Sequence, residues 1–541
     1  MTGFAAPGAV APAVLPDTWI TPQGIAVFRA ANAGWTSEPY DDLPNMLWPA
    51  RMLGDVELSQ SAVDAIGVGG RVALSVGDIS LWNGDAALST ASRYGTADGR
   101  AIAIRVADAV PSRPVLLGAD GAVLLGDDGF SLTAQHPESS LADAPVVWRG
   151  MIRTVTAAAS QAATVSVVDV AERLATPLQA SRYGGTGGLD GALALKDQPK
   201  PVCLGQVFNA EPVALGNVDL GDGALPTYQT NWRAVAAHDA VRIRGVAQTA
   251  VASTPAVGQY RDWPALGVFQ LGSTPDGTVT ADVRGDAVGG YANSIAGILR
   301  RLVTSLGPQL SADELHAEAW SFAEGDLPGI AGWYRGTSDI TASDAAEQIV
   351  ASCGAVLAGG RGGQLRLFDP LADDLPQFDI PMPWIIDLRP LSLPATLRPL
   401  PRAVGVEWQR NWKPVPDLAG SVDGAERQRL AGNASGPARA ESALVTARVA
   451  QQRDMRFAGL YATEADALAR AEKWRRWIEA GPRLFEIQTD RYLGQIECGD
   501  IGRVTYPAYG LAAGARGVVV AWREALAGRR LTLTIATLPE S

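Results

Sequence analysis

Five glycines fall within the eight residues 184–191, in the run Arg182-Tyr183-Gly184-Gly185-Thr186-Gly187-Gly188-Leu189-Asp190-Gly191. Glycine reaches φ > 0 without the Cβ clash that other residues suffer, so this run is read as a tightly folded loop. Downstream, Asp197-Gln198-Pro199-Lys200-Pro201-Val202-Cys203-Leu204-Gly205-Gln206-Val207-Phe208-Asn209-Ala210-Glu211-Pro212 brackets a short apolar strand, residues 202–208, between prolines. A phosphate cradle also uses glycine-rich backbone. It needs a following Gly-Lys-Ser/Thr, or a strand-loop-helix setting with an acidic residue downstream, and neither is present. The loop is therefore expected to be structural.

The 541 residues suggest three or four domains at roughly 100–200 residues each. With 47% hydrophobic and 19% charged residues the chain has ample core, and 59 glycines with 35 prolines favour many short strands over long helices. A net charge of −12 excludes the broad basic footprint of a nucleic-acid binder. Lysine occurs only at 196, 200, 413 and 473; the arginine excess reads as codon bias of a GC-rich genome. Cys203, Cys353 and Cys498 are far apart and odd in number, which argues against a disulfide framework or a metal site and for three core residues. The N-terminal residues 1–16 lack a basic start and are broken by Pro7, Pro12 and Pro16, a poor signal peptide. No apolar run reaches about 18 residues, so no membrane insertion is expected.

Along the chain, residues 71–81, 102–106, 146–152 and 165–168 alternate with period 2 between glycine turns, as half-buried strands do. Residues 278–283 form a further strand. Helical spacing then appears: Ile295, Ile298, Leu299, Leu302 and Leu306 share a face that Gly307-Pro308 closes. Ser311 with Glu314 looks like a capping box for a second helix, and Thr341 with Asp344 for a third that carries Ile349, Val350 and Cys353 on one face. Residues 359–363 form a hairpin turn into the strand 364–368, and residues 404–408 another strand. The polar stretch 414–440 has no periodicity and is expected to be a long exposed loop. Thr463 with Asp466 caps the best helix, with Leu468, Ala471, Trp474, Trp477 and Ile478 on one face and Glu472 able to pair with Arg476. Strands follow at 484–489, 503–506, 518–522 and 531–535.

No catalytic, cofactor-binding or metal-ligating residue emerges. His136, His238 and His316 form no zinc motif, and no Gly-x-Ser-x-Gly elbow or spaced calcium loop occurs. The adjacent acids Asp41-Asp42, Asp127-Asp128 and Asp373-Asp374 are read as solvated surface, with a hidden glycosidase as the alternative. Among the 15 tryptophans, Trp474 and Trp477 are expected in the core, while Trp333, Trp408 and Trp412 stand at strand ends, as core residues or interface anchors.

The Tyr-Gly-Gly-Thr-Gly-Gly-Leu run followed by Pro-Lys-Pro-x-Cys-x-Gly-x-x-x-Asn-x-x-Pro resembles the baseplate hub, or tail-tip, proteins of long-tailed bacteriophages and gene-transfer particles. Three further stretches are similar to that family: residues 267–285; Gly332-Trp333-Tyr334 with the strand 363–368; and the C-terminal set around Trp474, Gly499-Asp500 and residues 505–510. Together they cover most of residues 150–541. Trp408 stands where the family strand is expected to carry tyrosine.

The resemblance implies a β-rich α+β fold of several β-barrel or β-sandwich domains, including two tail-tube-like barrels and a small α+β middle region. The domains would be 1–195, 196–288, 289–400 and 401–541. It implies a homotrimer that matches a hexameric tail tube to a three-fold tip and forms part of the DNA channel. Its partners would be the distal tail or tube protein, the tape measure protein and central fibre or tip proteins, with DNA passing unbound. The expected place is the virion tail tip, assembled in a bacterial cytoplasm, with no cofactor and no enzymatic activity. The rival expectations are a tail-associated cell-wall or capsule hydrolase and a receptor-binding carbohydrate module.

Overall fold

The computed structural model describes residues 10–21, 24–32, 35–37, 41–43, 46–89, 97–106, 141, 144–157, 161–221, 223–451, 453–491, 496–526 and 530–539. The chain is a β-rich α+β protein. A six-stranded antiparallel sheet runs in the order Gly24–Ala30, Val10–Thr21, Ala101–Val106, Val146–Ala157, Ala162–Val168, Ile79–Trp82. The expected alternation is present: Ile102, Ile104 and Val106 are buried while Ala101 is exposed.

A larger sheet holds the C-terminal strands Ile501–Val504, Ala515–Ala525, Arg530–Thr537 and Leu484–Thr489, edged by Phe378–Ile380 and Asp387–Leu391. The strand Glu57–Ser61, from far earlier in the chain, pairs with Ala515–Ala525 and with Ser75–Val76. Likewise Gly70–Val72 pairs in parallel with Val356–Gly359. Trp148, Leu58, Trp522, Leu533 and Phe485 belong to one apolar cluster, so the two large sheets share a core.

Two five-stranded sheets occupy residues 202–286 and 332–335, around Val207, Phe269, Ala281 and Val283. The strand Val202–Ala210 is central: it pairs with Val279–Asp286 on one side and Gly332–Arg335 on the other. Backbones approach closely here. A Cβ on Gly332 would lie 1.9 Å from the Gln206 carbonyl oxygen, one on Gly205 2.1 Å from that of Ala331, and one on Gly285 2.4 Å from that of Cys203.

The helices follow the caps read in the sequence, with differences. Ser294 caps Ile295–Ser305, Thr341 caps Ala342–Ala351, and Thr463 caps Glu464–Glu479. Ser311 and Glu314 do form a capping box, but on a single 3-10 turn; the helix proper, Ala317–Asp326, starts later with His316 as its cap. In Glu464–Glu479 the buried face carries Ala467, Arg470, Ala471, Trp474, Trp477 and Ile478, while Leu468 is 40% exposed. Arg475, not Arg476, pairs with Glu472, at 2.7 Å. The stretch expected as a loop holds the helix Gly424–Ala431, capped by Asp423, and the strand Pro437–Glu441. With Leu430 its only buried residue, that helix has no apolar stripe to betray it.

Charge is used inside the core. Arg470 Nη1 and Nη2 donate to Asp369 Oδ2 and Oδ1 at 2.6 and 2.9 Å, and Lys473 Nζ lies 3.0 Å from Oδ2. Burial pushes the Asp369 carboxyl up, but Arg470 and Lys473 outweigh it and hold it low, at about 2. Arg470 Nε also donates to the Cys353 carbonyl at 2.6 Å. Arg366 is paired with Glu497 and Asp500, and Arg361 with Glu524 while lying 3.6 Å above the Trp522 ring. These ties join the middle of the chain to the C-terminal sheet and helix.

Candidate functional site

The glycine loop is satisfied from within. Gly185, Gly187, Gly188 and Gly191 all have positive φ, between 59° and 92°. Gly185 N donates to Asp190 O at 3.1 Å and Gly187 N to Gly191 O at 2.8 Å. The Asp190 carboxylate accepts from the Gly184 amide, from Thr186 Oγ1 at 3.0 Å and from Lys200 Nζ at 3.4 Å, which holds it below the usual range. An internal anion therefore stands where a bound phosphate would be held. Below the loop, Tyr183 Oη donates to Gln229 Oε1 at 2.6 Å.

A Cβ on Gly185 would lie 2.9 Å from Lys196 Cβ at φ +72°, and Gly187 has φ +92° with open space around it. Replacing both by valine is expected to cost roughly 2–4 kcal/mol in backbone strain, read as a lowered urea midpoint. A midpoint within error of the parent protein would show that the loop carries no such constraint.

One constellation escaped the sequence. Thr230 Oγ1 lies 2.7 Å from His238 Nε2, and His238 Nδ1 lies 2.6 Å from Asp262 Oδ1. This is the order of a hydroxyl nucleophile, a base and its orienting acid. Thr230 is completely buried, as is the His238 side chain, whose ring meets Phe269 edge-on at 5.2 Å. No substrate reaches that hydroxyl in this fold. The chain of bonds stitches the strands Val235–Ile243 and Gln259–Trp263 to the turn at 230–231, and because it forms across strands it leaves no local motif.

The three cysteines are buried, as expected, and burial pushes each thiol up, that of Cys353 to about 11. Asp41 accepts from the Leu141 amide at 2.9 Å, and exposed Asp373 sits 3.5 Å from Arg516. His136, Asp127 and Asp128 lie outside the described residues. Among the described residues no cluster of histidine, cysteine and carboxylate side chains is placed to hold a metal ion, and no helix is long and apolar enough to cross a membrane. Trp333 is core, and Trp408 and Trp412 are half-buried against it.

His316 and Asp326 line a cavity of about 280 Å³ beside Arg366, Asp369 and Asp500. Burial raises the Asp326 carboxyl to about 6, against the pull of Lys473 Nζ at 3.3 Å and with help from Asp369 and Asp374. Its folded value thus exceeds the unfolded one, near 3.9. Above pH 6 the native state carries the cost of ionising it; as pH falls from 6 to 4 the native state binds a proton the unfolded chain does not, and that cost disappears. Asp326→Asn is therefore expected to be more stable than the parent by about 1–3 kcal/mol at pH 8. The difference should close toward pH 4, as urea titrations at both pH values would show. A difference independent of pH would contradict this.

A sheet face carries a further hollow. On the sheet that joins Glu57–Ser61 to the C-terminal strands, Leu58, Trp522, Leu533, Phe485 and Ile487 point into the core. The opposite face carries a hollow of about 480 Å³ whose lining includes Ser59, Ser61, Ser75, Gln488, Thr532 and Thr534 with Ala73 and Ala521 among them. Its charges are matched: Arg389 Nη2 lies 2.6 Å from Glu486, and Arg523 pairs with Glu57.

No protein-family model and no curated protein matches the sequence. Among solved structures, the chain is similar to the tail protein from Neisseria meningitidis MC58, with 9% identity over 97% of this chain and 96% of that one, at a TM-score of 0.39. It is similar to the 43 kDa tail protein of prophage MuSo2 from Shewanella oneidensis, with 9% identity over 98% and 99% of the two chains and a TM-score of 0.38. A chain of the native gene transfer agent virion matches with 12% identity over 69% of this chain and 91% of that one, at a TM-score of 0.42. At these scores the similarities carry no assignment of activity, partner or oligomeric state.

Proposed function

We propose that the chain is a structural hub of a phage-type tail tip: a trimer that joins the six-fold tube to a three-fold tip and lines part of the channel through which the genome leaves. The hub motifs in the sequence suggest the family. The observation that carries the reading is the hollowed sheet face, where small hydroxyl side chains and matched ion pairs lie over an apolar core. Such a wall wets readily, yet offers DNA phosphates no unpaired cation from which to release counterions. The overall charge of −12 adds repulsion at longer range.

The parts arranged like reactive sites fit a scaffold better than an enzyme. The Thr230 hydroxyl and the His238 ring are buried, and the glycine loop holds its own carboxylate. In this reading the chain belongs to the virion tail tip, is assembled in the host cytoplasm, and meets the tube or distal tail protein, the tape measure protein and tip proteins. Light scattering is the test: a trimer is expected, alone or on adding tube or distal tail protein, with no retardation of DNA at physiological salt. A stable dimer or hexamer under those conditions would overturn the reading, as would clearing of peptidoglycan or capsule by the isolated chain.

A further inference from the structure

A cavity of about 730 Å³ opens where six separate stretches meet: Val68, Glu211, the turn after the strand Gly332–Arg335, the end of the helix Ala342–Ala351, residues 410–412, and the strand Asp454–Tyr461. Three arginines line it, Arg335, Arg410 and Arg456, against one carboxylate, Glu211. Glu211 is already matched by Lys413 Nζ at 2.9 Å. With Glu211 so matched, the three arginines of the lining give a local positive excess in a chain whose net charge is −12, and Glu407 supports the charge on Arg410.

The buried arginines Arg242, Arg366 and Arg470 are bonded to Asp282, Glu497 and Asp369, whereas Arg410 and Arg456 are exposed, at the open side of the cavity. Among the described residues Arg410 and Arg456 form no ion pair with a carboxylate. Arg410 instead stacks on Trp412, its guanidinium carbon 4.5 Å from the ring centroid. Trp412 is held edge-on by buried Trp333 and Tyr334, both with centroids at 6.3 Å.

The polar rim is fixed as well. Arg335 Nε donates to Ser338 O at 3.1 Å and Gln179 Nε2 to Gly336 O at 2.7 Å, which sets the turn carrying the Thr337 and Ser338 hydroxyls. Gln348 Oε1 accepts from Trp333 Nε1 at 3.1 Å, so that its amide NH₂ remains to donate.

The volume suits a small ligand, since such sites run to about 300–1,000 Å³. Guanidinium forks match carboxylate oxygens in pairs. An aromatic wall covers the apolar face of a ring, and hydroxyl and amide groups answer ring hydroxyls. We propose that this cavity binds an acidic sugar, a one- or two-residue saccharide unit bearing a carboxylate, with Arg410 and Arg456 on the carboxylate and Trp412 against the ring. The site does not rest on the hub reading, and either can fail without the other.

Calorimetric titration of the full chain tests it, with glucuronic acid and digalacturonic acid as probes and glucose, inorganic phosphate and an Asp/Glu tetrapeptide as comparisons. Saturable one-to-one binding of at least one acidic sugar is expected, with glucose showing none over the same range. Arg410→Gln and Arg456→Gln should each weaken it about 10-fold or more without moving the melting temperature, whereas Arg153→Gln, an exposed arginine elsewhere, should leave it unchanged. Tighter binding of the disaccharide would indicate a polysaccharide as source, and equal binding a free sugar. Absence of saturable binding, or glucose, phosphate or the tetrapeptide binding as tightly as the acidic sugars, would overturn the proposal.

Discussion

Asp369→Asn is expected to destabilise the protein by about 3–5 kcal/mol, because it leaves a fully buried guanidinium and a largely buried ammonium without their counter-charge. Asp369 takes both forks of Arg470 at 2.6 and 2.9 Å and Lys473 at 3.0 Å, and accepts the Leu371 amide at 3.1 Å. Asparagine keeps the size but offers one acceptor where two charged oxygens stood. Since Arg470 also holds the Cys353 carbonyl, the helix Glu464–Glu479 should loosen from the helix Ala342–Ala351 and from the strand Leu365–Phe368. A lowered urea midpoint, with faster proteolysis around residue 470, would report this. The triple replacement of Asp369, Arg470 and Lys473 by apolar residues should recover much of the loss, because it removes the charges together. The parent carboxyl lies near 2, below its unfolded value, so its contribution is fully present above about pH 4 and is lost as pH falls toward 2. A loss below about 1 kcal/mol for the single variant would mean that water reaches the cluster.

Gly332→Ala is expected to cost at least about 3 kcal/mol, an overpacking effect that no rotamer change can relieve. The new methyl would stand 1.9 Å from the Gln206 carbonyl oxygen and 2.3 Å from its carbon, both backbone atoms. Gly332 faces Gly205 directly across the pair of strands, and Gly205 itself has φ +65°. The strand Val202–Ala210 would have to move away from Gly332–Arg335, and with it the register to Val279–Asp286. Alanine at Gly187, where nothing lies within 4 Å, is the control for backbone strain without a clash and should cost far less. A midpoint for Gly332→Ala equal to that of the control would show that the two strands separate freely.

What could be read beforehand was local. The caps at Thr341 and Thr463, the burial of Cys353, the strand alternation and the structural character of the glycine loop follow from residues within a few positions of one another. Asp190 closing the loop lies within that same span. The helix Gly424–Ala431 stayed hidden because it buries a single leucine. The Asp369–Arg470 knot, 101 positions apart, and the Thr230–His238–Asp262 chain depend on tertiary pairing that no spacing rule encodes. The arginine-lined cavity combines six distant stretches, and an arginine excess attributed to codon usage gave no reason to single out Arg410 or Arg456.

The insertion of Glu57–Ser61 beside Ala515–Ala525 imposes a timetable on synthesis. Glu57 and its partner Arg523 are 466 positions apart. At roughly 5–20 residues per second, a ribosome needs about 20–90 s to make the second strand after the first has emerged. Throughout that interval the strand can pair with Ser75–Val76 on one side only, and its other edge must wait in a crowded cell, open to any other nascent chain with an edge to offer. Yield should therefore fall with faster initiation and higher temperature well before the finished molecule itself becomes unstable, and a chaperone that shields the early strands should raise it more than any mutation that strengthens the completed sheet.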